Sequence, residues 1–144
     1  MKLLRLTVPV LAALLSSCAK DNEPMPAPVY LLDQRWKLME LVGQPVSVAD
    51  ANSGTDLLLN SVTGTNGGRA FCNQYGGSYT LTGNSAELTF SPQFSTYATC
   101  AMQSQETKYL ELLPSVTRYT IRNRQLALYD ATHPEPRLVF NAAD

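Results

Sequence analysis

The sequence predicts a mainly β domain: a small, partly open antiparallel β-barrel with one amphipathic helix, over about residues 101–113. Three observations lead there. After residue 29, apolar residues alternate at period two in short runs bounded by turn residues. One segment, Ala101–Leu113, breaks that rhythm with helical spacing. An array of short strands leaves open edges, which curling into a barrel and covering with a helix would remove.

The elements follow in chain order. Arg35–Leu41 (RWKLMEL) sets Trp36, Leu38 and Glu40 on one side and Lys37, Met39 and Leu41 on the other. Asp56–Ser61 holds a leucine triplet between polar residues and fits a short buried strand. Tyr79 and Leu81 share a face, as do Leu88 and Phe90. The Gly-Gly, Gly-Asn and Ser-Pro pairs between these runs read as turns. Within AMQSQETKYLELL, Met102, Tyr109, Leu110 and Leu113 form an apolar stripe, Gln103, Gln105, Glu106 and Lys108 a polar face, and Pro114 stops the helix. Val116–Arg122 and Gln125–Asp130 form a hairpin around Asn123-Arg124, where asparagine tolerates positive φ. Arg137–Asn141 adds Leu138 and Phe140, completing a three-stranded meander.

The N-terminus carries an address. Lys2 and Arg5 precede the apolar run Leu6–Leu15, which suits a secretory signal and falls short of the roughly 20 apolar residues that a membrane span needs. Leu15-Ser16-Ser17-Cys18 resembles a bacterial lipobox, so residues 1–17 read as a lipoprotein signal peptide and Cys18 as the acylated first residue of the mature chain. Residues 18–28 carry three prolines and no apolar periodicity, and read as a stiff tether. Ala19 after the cysteine resembles outer-membrane sorting, and Lys20-Asp21-Asn22-Glu23 resembles a surface-export signal. The expected location is therefore the outer membrane, on its periplasmic side or at the cell surface.

Residues 29–144 make one domain. Removing residues 1–17 leaves nine basic and twelve acidic side chains, a net charge of −3, and no extended basic patch to hold nucleic acid. With Cys18 acylated, Cys72 and Cys100 remain as an even pair in an oxidising compartment, and a disulfide is expected. The alternative is a free, nucleophilic Cys72 served by His133, the one histidine, within an exposed Thr132–Pro136 turn.

Other chemistry finds little footing. The glycines of TNGGRAFCNQYGGSYT (65–80) lack the Lys-Ser/Thr that closes a phosphate loop, and they lie between strands. One histidine and two paired cysteines cannot make a zinc site. Asp50, Asn52 and Asp56 lack EF-hand spacing and read as a solvated loop. Glu106 and Glu111, five apart, do not share a helix face as paired glycosidase carboxylates must. The expectation is no cofactor, no metal and no catalytic residue.

The order of Trp36, the leucine strand, Phe71-Cys72-Asn73-Gln74-Tyr75-Gly76-Gly77-Ser78-Tyr79, Leu88-Thr89-Phe90, Ser95-Thr96-Tyr97-Ala98-Thr99-Cys100, a helix with Glu106, Leu126-Ala127-Leu128 and Leu138-Val139-Phe140 resembles the META/HslJ family. Its pattern is Gly-x-x-Gly-Cys-Asn-x-Tyr-x-Gly-x-Tyr followed by Thr-x-x-x-Cys. Phe71 departs from it where glycine is common. The resemblance implies a partly open barrel with one helix in an envelope or secreted protein, some relatives being linked to heat shock or drug tolerance, with no enzymatic activity established. It also brings out Asn73, Tyr75 and Thr96 as candidate motif or ligand contacts. The expected function is that of a monomeric, lipid-anchored envelope protein that binds a protein or hydrophobic small molecule, or supports stress tolerance. Two alternatives stand beside it. One is a chaperone of an outer-membrane partner, similar to the pilotins; the other is a hydrolase using Cys72 or a serine.

Overall fold

The computed structural model describes residues 29–46, 54–83 and 85–144. The expected signal peptide, acylation at Cys18 and tether fall outside the described residues, as do Asp50 and Asn52. The described elements are β1 (Arg35–Leu41), β2 (Gln44–Pro45), β3 (Asp56–Leu59), β4 (Thr65–Arg69), β5 (Gln74–Leu81), β6 (Leu88–Phe90), β7 (Phe94–Ser95), α1 (Gln103–Leu112), β8 (Val116–Arg122), β9 (Gln125–Asp130) and β10 (Leu138–Ala142). A single 3-10 turn, Leu113–Ser115, joins α1 to β8.

The strands run β6-β5-β4-β3-β1-β10-β9-β8, each antiparallel to its neighbour, with β2 beside β1 and β7 beside β5. The two ends of this row nearly meet. Glu87 bridges Arg118, and Tyr119 N–H donates to Ala86 O at 2.9 Å, so β6 and β8 form a seam that almost closes an eight-stranded barrel. The expected barrel with one helix is the observed architecture.

Inward-facing residues from every long strand fill one core. Trp36, Leu57, Leu59, Leu88, Leu126, Leu128, Leu138 and Phe140 are buried, joined by Tyr109 of α1 and Leu113 of the 3-10 turn. Trp36 Nε1 donates to Leu31 O at 3.0 Å, which satisfies the indole inside an apolar setting. The β8–β9 turn is as expected: Asn123 and Arg124 have φ of 48° and 65°, the pair of positive values a two-residue hairpin requires.

Three expectations change. In β1 the register against β10 shifts between Leu38 and Glu40, a bulge that turns Leu41 into the core in place of Glu40. The helix is shorter than 101–113, and Pro114 lies inside the following 3-10 turn; Glu106, expected on the polar face, is one of its two buried residues. The largest change concerns the paired glycines, which are not turns. Gly67 and Gly68 lie within β4 and Gly76 and Gly77 within β5, with Gly67 opposite Gly76, Gly68 opposite Tyr75 and Gly77 opposite Asn66. The reason is close approach: a Cβ on Gly76 would come within 2.7 Å of the Phe94 ring, and one on Gly68 would overlap Asp56. The reversal between β4 and β5 belongs instead to Ala70–Asn73, where Ala70 N–H donates to Asn73 O at 2.7 Å.

The register also separates the barrel into two rims. The start of β1 lies beside the end of β10, with Ala143 N–H donating to Arg35 O, so residues 35 and 143 leave from one rim. The end of β3 and start of β4 share that rim. The Ala70–Asn73 turn, the start of β5 and the entry to β8 from α1 lie at the other.

Candidate functional site

At that second rim the Ala70–Asn73 turn is bound to α1 and to the chain leading into it. Cys72 and Cys100 are disulfide-bonded, their Cα atoms 5.9 Å apart. Cys72 is thus half of a bridge, as expected, and not the free nucleophile of the alternative reading. His133 lies in an exposed turn, its Nδ1 at 2.8 Å from Asp130 Oδ2 and 2.9 Å from Thr132 Oγ1. Burial pushes the Asp130 carboxyl up, but hydrogen bonds from Thr132 and His133 outweigh this and hold it far below its ordinary value.

Asn73 and Glu106 form the centre of the rim. Asn73 Nδ2 donates to Glu106 Oε1 (2.5 Å) and to Ala98 O (3.0 Å). Its Oδ1 accepts from Thr96 Oγ1 (2.9 Å) and Ala98 N–H (2.7 Å). Glu106 Oε2 accepts from the N–H groups of Cys72 (2.6 Å) and Asn73 (2.8 Å), while Gln103 Nε2 approaches Oε1 at 3.5 Å. An amide offers two donors and two acceptor sites, and a carboxylate about four acceptor sites. All are occupied in both residues. Burial raises the Glu106 carboxyl, yet the hydrogen bonds from Asn73, Cys72 and Gln103 win, and the group stays ionised below its ordinary value.

Tyr75 points the other way, into the core. Its hydroxyl donates to Asp56 O at 2.8 Å and lies 2.6 Å from that of Tyr109, the two rings edge to face at 5.4 Å. Burial, above all, drives both phenols upward. Phe71, the departure from the family pattern, packs its half-buried ring edge-on against Tyr109. Asp56 is buried and faces Arg35 Nη1 at 2.5 Å and Lys37 Nζ at 3.7 Å, so it is an ion-paired strand residue, not part of a solvated loop.

A cleft of about 690 Å³ opens outside this network, between α1 and the segment Pro92–Thr99. Asn73 and Glu106 form part of its floor; Thr96, Tyr97, Leu110 and Glu111 border it. Tyr97, on the cleft's border, is fully exposed; Phe94, one strand position before Ser95, is 72% exposed but lies over Gly76 outside the lining. Glu106 and Glu111 both border the cleft, despite lying five apart on the helix, because the opening spans a broad flank of α1. Sequence reasoning missed both the cleft and the role of Glu106. Of the candidates, Thr96 alone combines an exposed position on the cleft with remaining acceptor capacity, its Oγ1 taking Gln74 N–H at 3.2 Å. A second hollow of about 420 Å³ lies on the other flank of α1, walled by Phe71, Met102, Leu41 and Lys108. Among the described residues, no group of three or more His, Cys, Asp or Glu side chains could hold a metal, and no helix is long and apolar enough to cross a membrane.

The family model for the META domain matches residues 29–143, almost the whole described part of the chain. The chain belongs to the META domain family. Solved structures repeat this META architecture. A protein from Burkholderia xenovorans, determined by NMR, is 26% identical, with a TM-score of 0.63 over 78% of this chain and 83% of that one. Another NMR structure, 22% identical, has a TM-score of 0.61 over 79% and 92%. A DUF4847 family protein from Bacteroides vulgatus, 14% identical, has a TM-score of 0.56 over 78% and 93%; these last two share the fold alone. No curated protein matches this META domain chain in sequence.

Proposed function

We propose that this META domain protein is a lipid-anchored, non-enzymatic component of the outer membrane, held by acylated Cys18, that binds a partner in the cleft between α1 and Pro92–Thr99. The observation that carries this reading is saturation of the cleft's most buried polar groups. Asn73 and Glu106 have every donor and acceptor committed to the fold, so they shape the cleft and offer no proton or lone pair to a reaction. What the cleft does present is the exposed Tyr97 and the partly exposed Leu110, which is surface suited to contact. Anchorage rests on the order of charge, apolar run, small residues and cysteine in residues 2–18.

Two measurements test it. Native mass spectrometry of the gently extracted protein should find it carrying a bound molecule, and substitutions at Tyr97 should strip that molecule away. Radioactive fatty acid should label the wild type and leave Cys18→Ala unlabelled. A bare protein in the first, or a labelled Cys18→Ala in the second, defeats the corresponding half of the proposal.

A further inference from the structure

We infer that the cleft takes an extended basic peptide, which adds as a strand along the outer edge of Ser95–Thr99. This rests on the binding role proposed above and names the occupant.

The first observation is an open edge. Among the described residues β7 pairs on one side alone, Ser95 opposite Tyr75 and Phe94 opposite Gly76. Beyond β7 the same edge stays turned inward. Thr96 N–H donates to Gln74 O at 3.0 Å, and Ala98 uses both its N–H and its C=O on the Asn73 side chain. In an extended chain alternate residues send their backbone groups to opposite edges. Ser95, Tyr97 and Thr99 therefore turn theirs outward, and among the described residues those of Tyr97 and Thr99 find no backbone partner.

The second observation is that this edge carries no guard of its own. Exposed edges usually carry lysine, proline or a bulge that prevents pairing. Phe94–Thr99 reads FSTYAT, without charge or proline, and every residue of it is exposed. The third is the opposite wall. α1 faces the edge across the cleft, presenting Thr107, Leu110 and Glu111. A groove between a strand edge and a helix can take main-chain hydrogen bonds on one side and side chains on the other.

Charge identifies the occupant. The exposed Glu111 borders the cleft above the buried Glu106, and among the described residues no lysine or arginine lines it. An added strand with basic residues alternating with apolar ones would place cations near the carboxylates and apolar side chains against Leu110 and Tyr97. A second copy of this chain would bring the same two carboxylates and the same uncharged edge, and is disfavoured.

The test uses the full-length acylated protein in dodecyl maltoside micelles and a fluorescent peptide of five Lys-Val repeats, read by anisotropy. Saturable binding is expected. Two further peptides carry N-methyl groups on every lysine or on every valine nitrogen. Because alternate residues face alternate edges, one of them should lose at least tenfold in affinity and the other should bind within about threefold of the parent. Tyr97→Pro, which removes one outward N–H, and Glu111→Lys should each weaken the parent peptide at least threefold with an unchanged thermal midpoint. Both methylated peptides binding like the parent, or no saturable peptide binding, overturns the added strand. In the latter case lauric acid is titrated in its place. Its uptake, lost in the Tyr97 variant, would refute the peptide while leaving the binding role intact; its failure too would take down both.

Discussion

Glu106 and Asn73 hold the barrel's second rim together through eight hydrogen-bonding positions, all of them filled from within the chain. Replacing Glu106 with glutamine keeps the size but turns two acceptor sites into donors that face the Asn73 amide or the backbone N–H groups. The expected loss is about 3 kcal/mol in urea unfolding, the cost of leaving buried donors unpaired. The effect depends on pH with a definite sign. Glu106 is held below its ordinary 4.5, so its contribution is complete above that value and drains away as pH falls through the lower folded value. Stability curves of wild type and Glu106→Gln, measured from neutral pH downward, should converge in acid; a constant gap would remove the carboxylate from the explanation. The sequence made Asn73 visible through its place in the family pattern. Glu106 stands in the same pattern, but its role was hidden, because a polar residue among Gln103, Gln105 and Lys108 reads as solvent-facing, and its partners on the Cys72 turn lie more than thirty residues earlier in the chain.

Among the elements, the β8–β9 hairpin was legible because its requirement is local. Asn123-Arg124 must adopt positive φ, and asparagine advertises that. Arg124 does not, and its φ of 65° carries strain that glycine would not have. Arg124→Gly should raise stability by about 0.5–1 kcal/mol in thermal or denaturant melts, even after losing the exposed ion pair with Asp144. The glycine strands were misread for the opposite reason. Gly76 and Gly68 answer to Phe94 and Asp56, partners far away in sequence, so their composition signalled a turn while their contacts demanded strands. Likewise the β1 bulge that brings Leu41 inward depends on β10, which no window around β1 contains.

For the whole molecule, period-two alternation and one helical segment were enough to reach a barrel, because a single core must bury one face of every strand. Location of the cleft required knowing which turn meets which face of α1. The disulfide contributes at this scale. It closes a separation of 28 residues that includes β5, β6 and β7, so Cys72→Ala/Cys100→Ala should lose about 3 kcal/mol in denaturant melts and still fold. Amide exchange should quicken most at the approach to α1 in the double variant, and a uniform change across the barrel would contradict a local staple.

The two rims give the molecule a polarity with respect to whatever it is attached to. Residues 35 and 143 leave from one, whereas the Cys72 turn, α1 and the cleft belong to the other. A chain moored through its N-terminal segment therefore holds its cleft on the far side, facing away from the mooring. The same arrangement puts any C-terminal extension beside the N-terminal exit and leaves the cleft's approach clear.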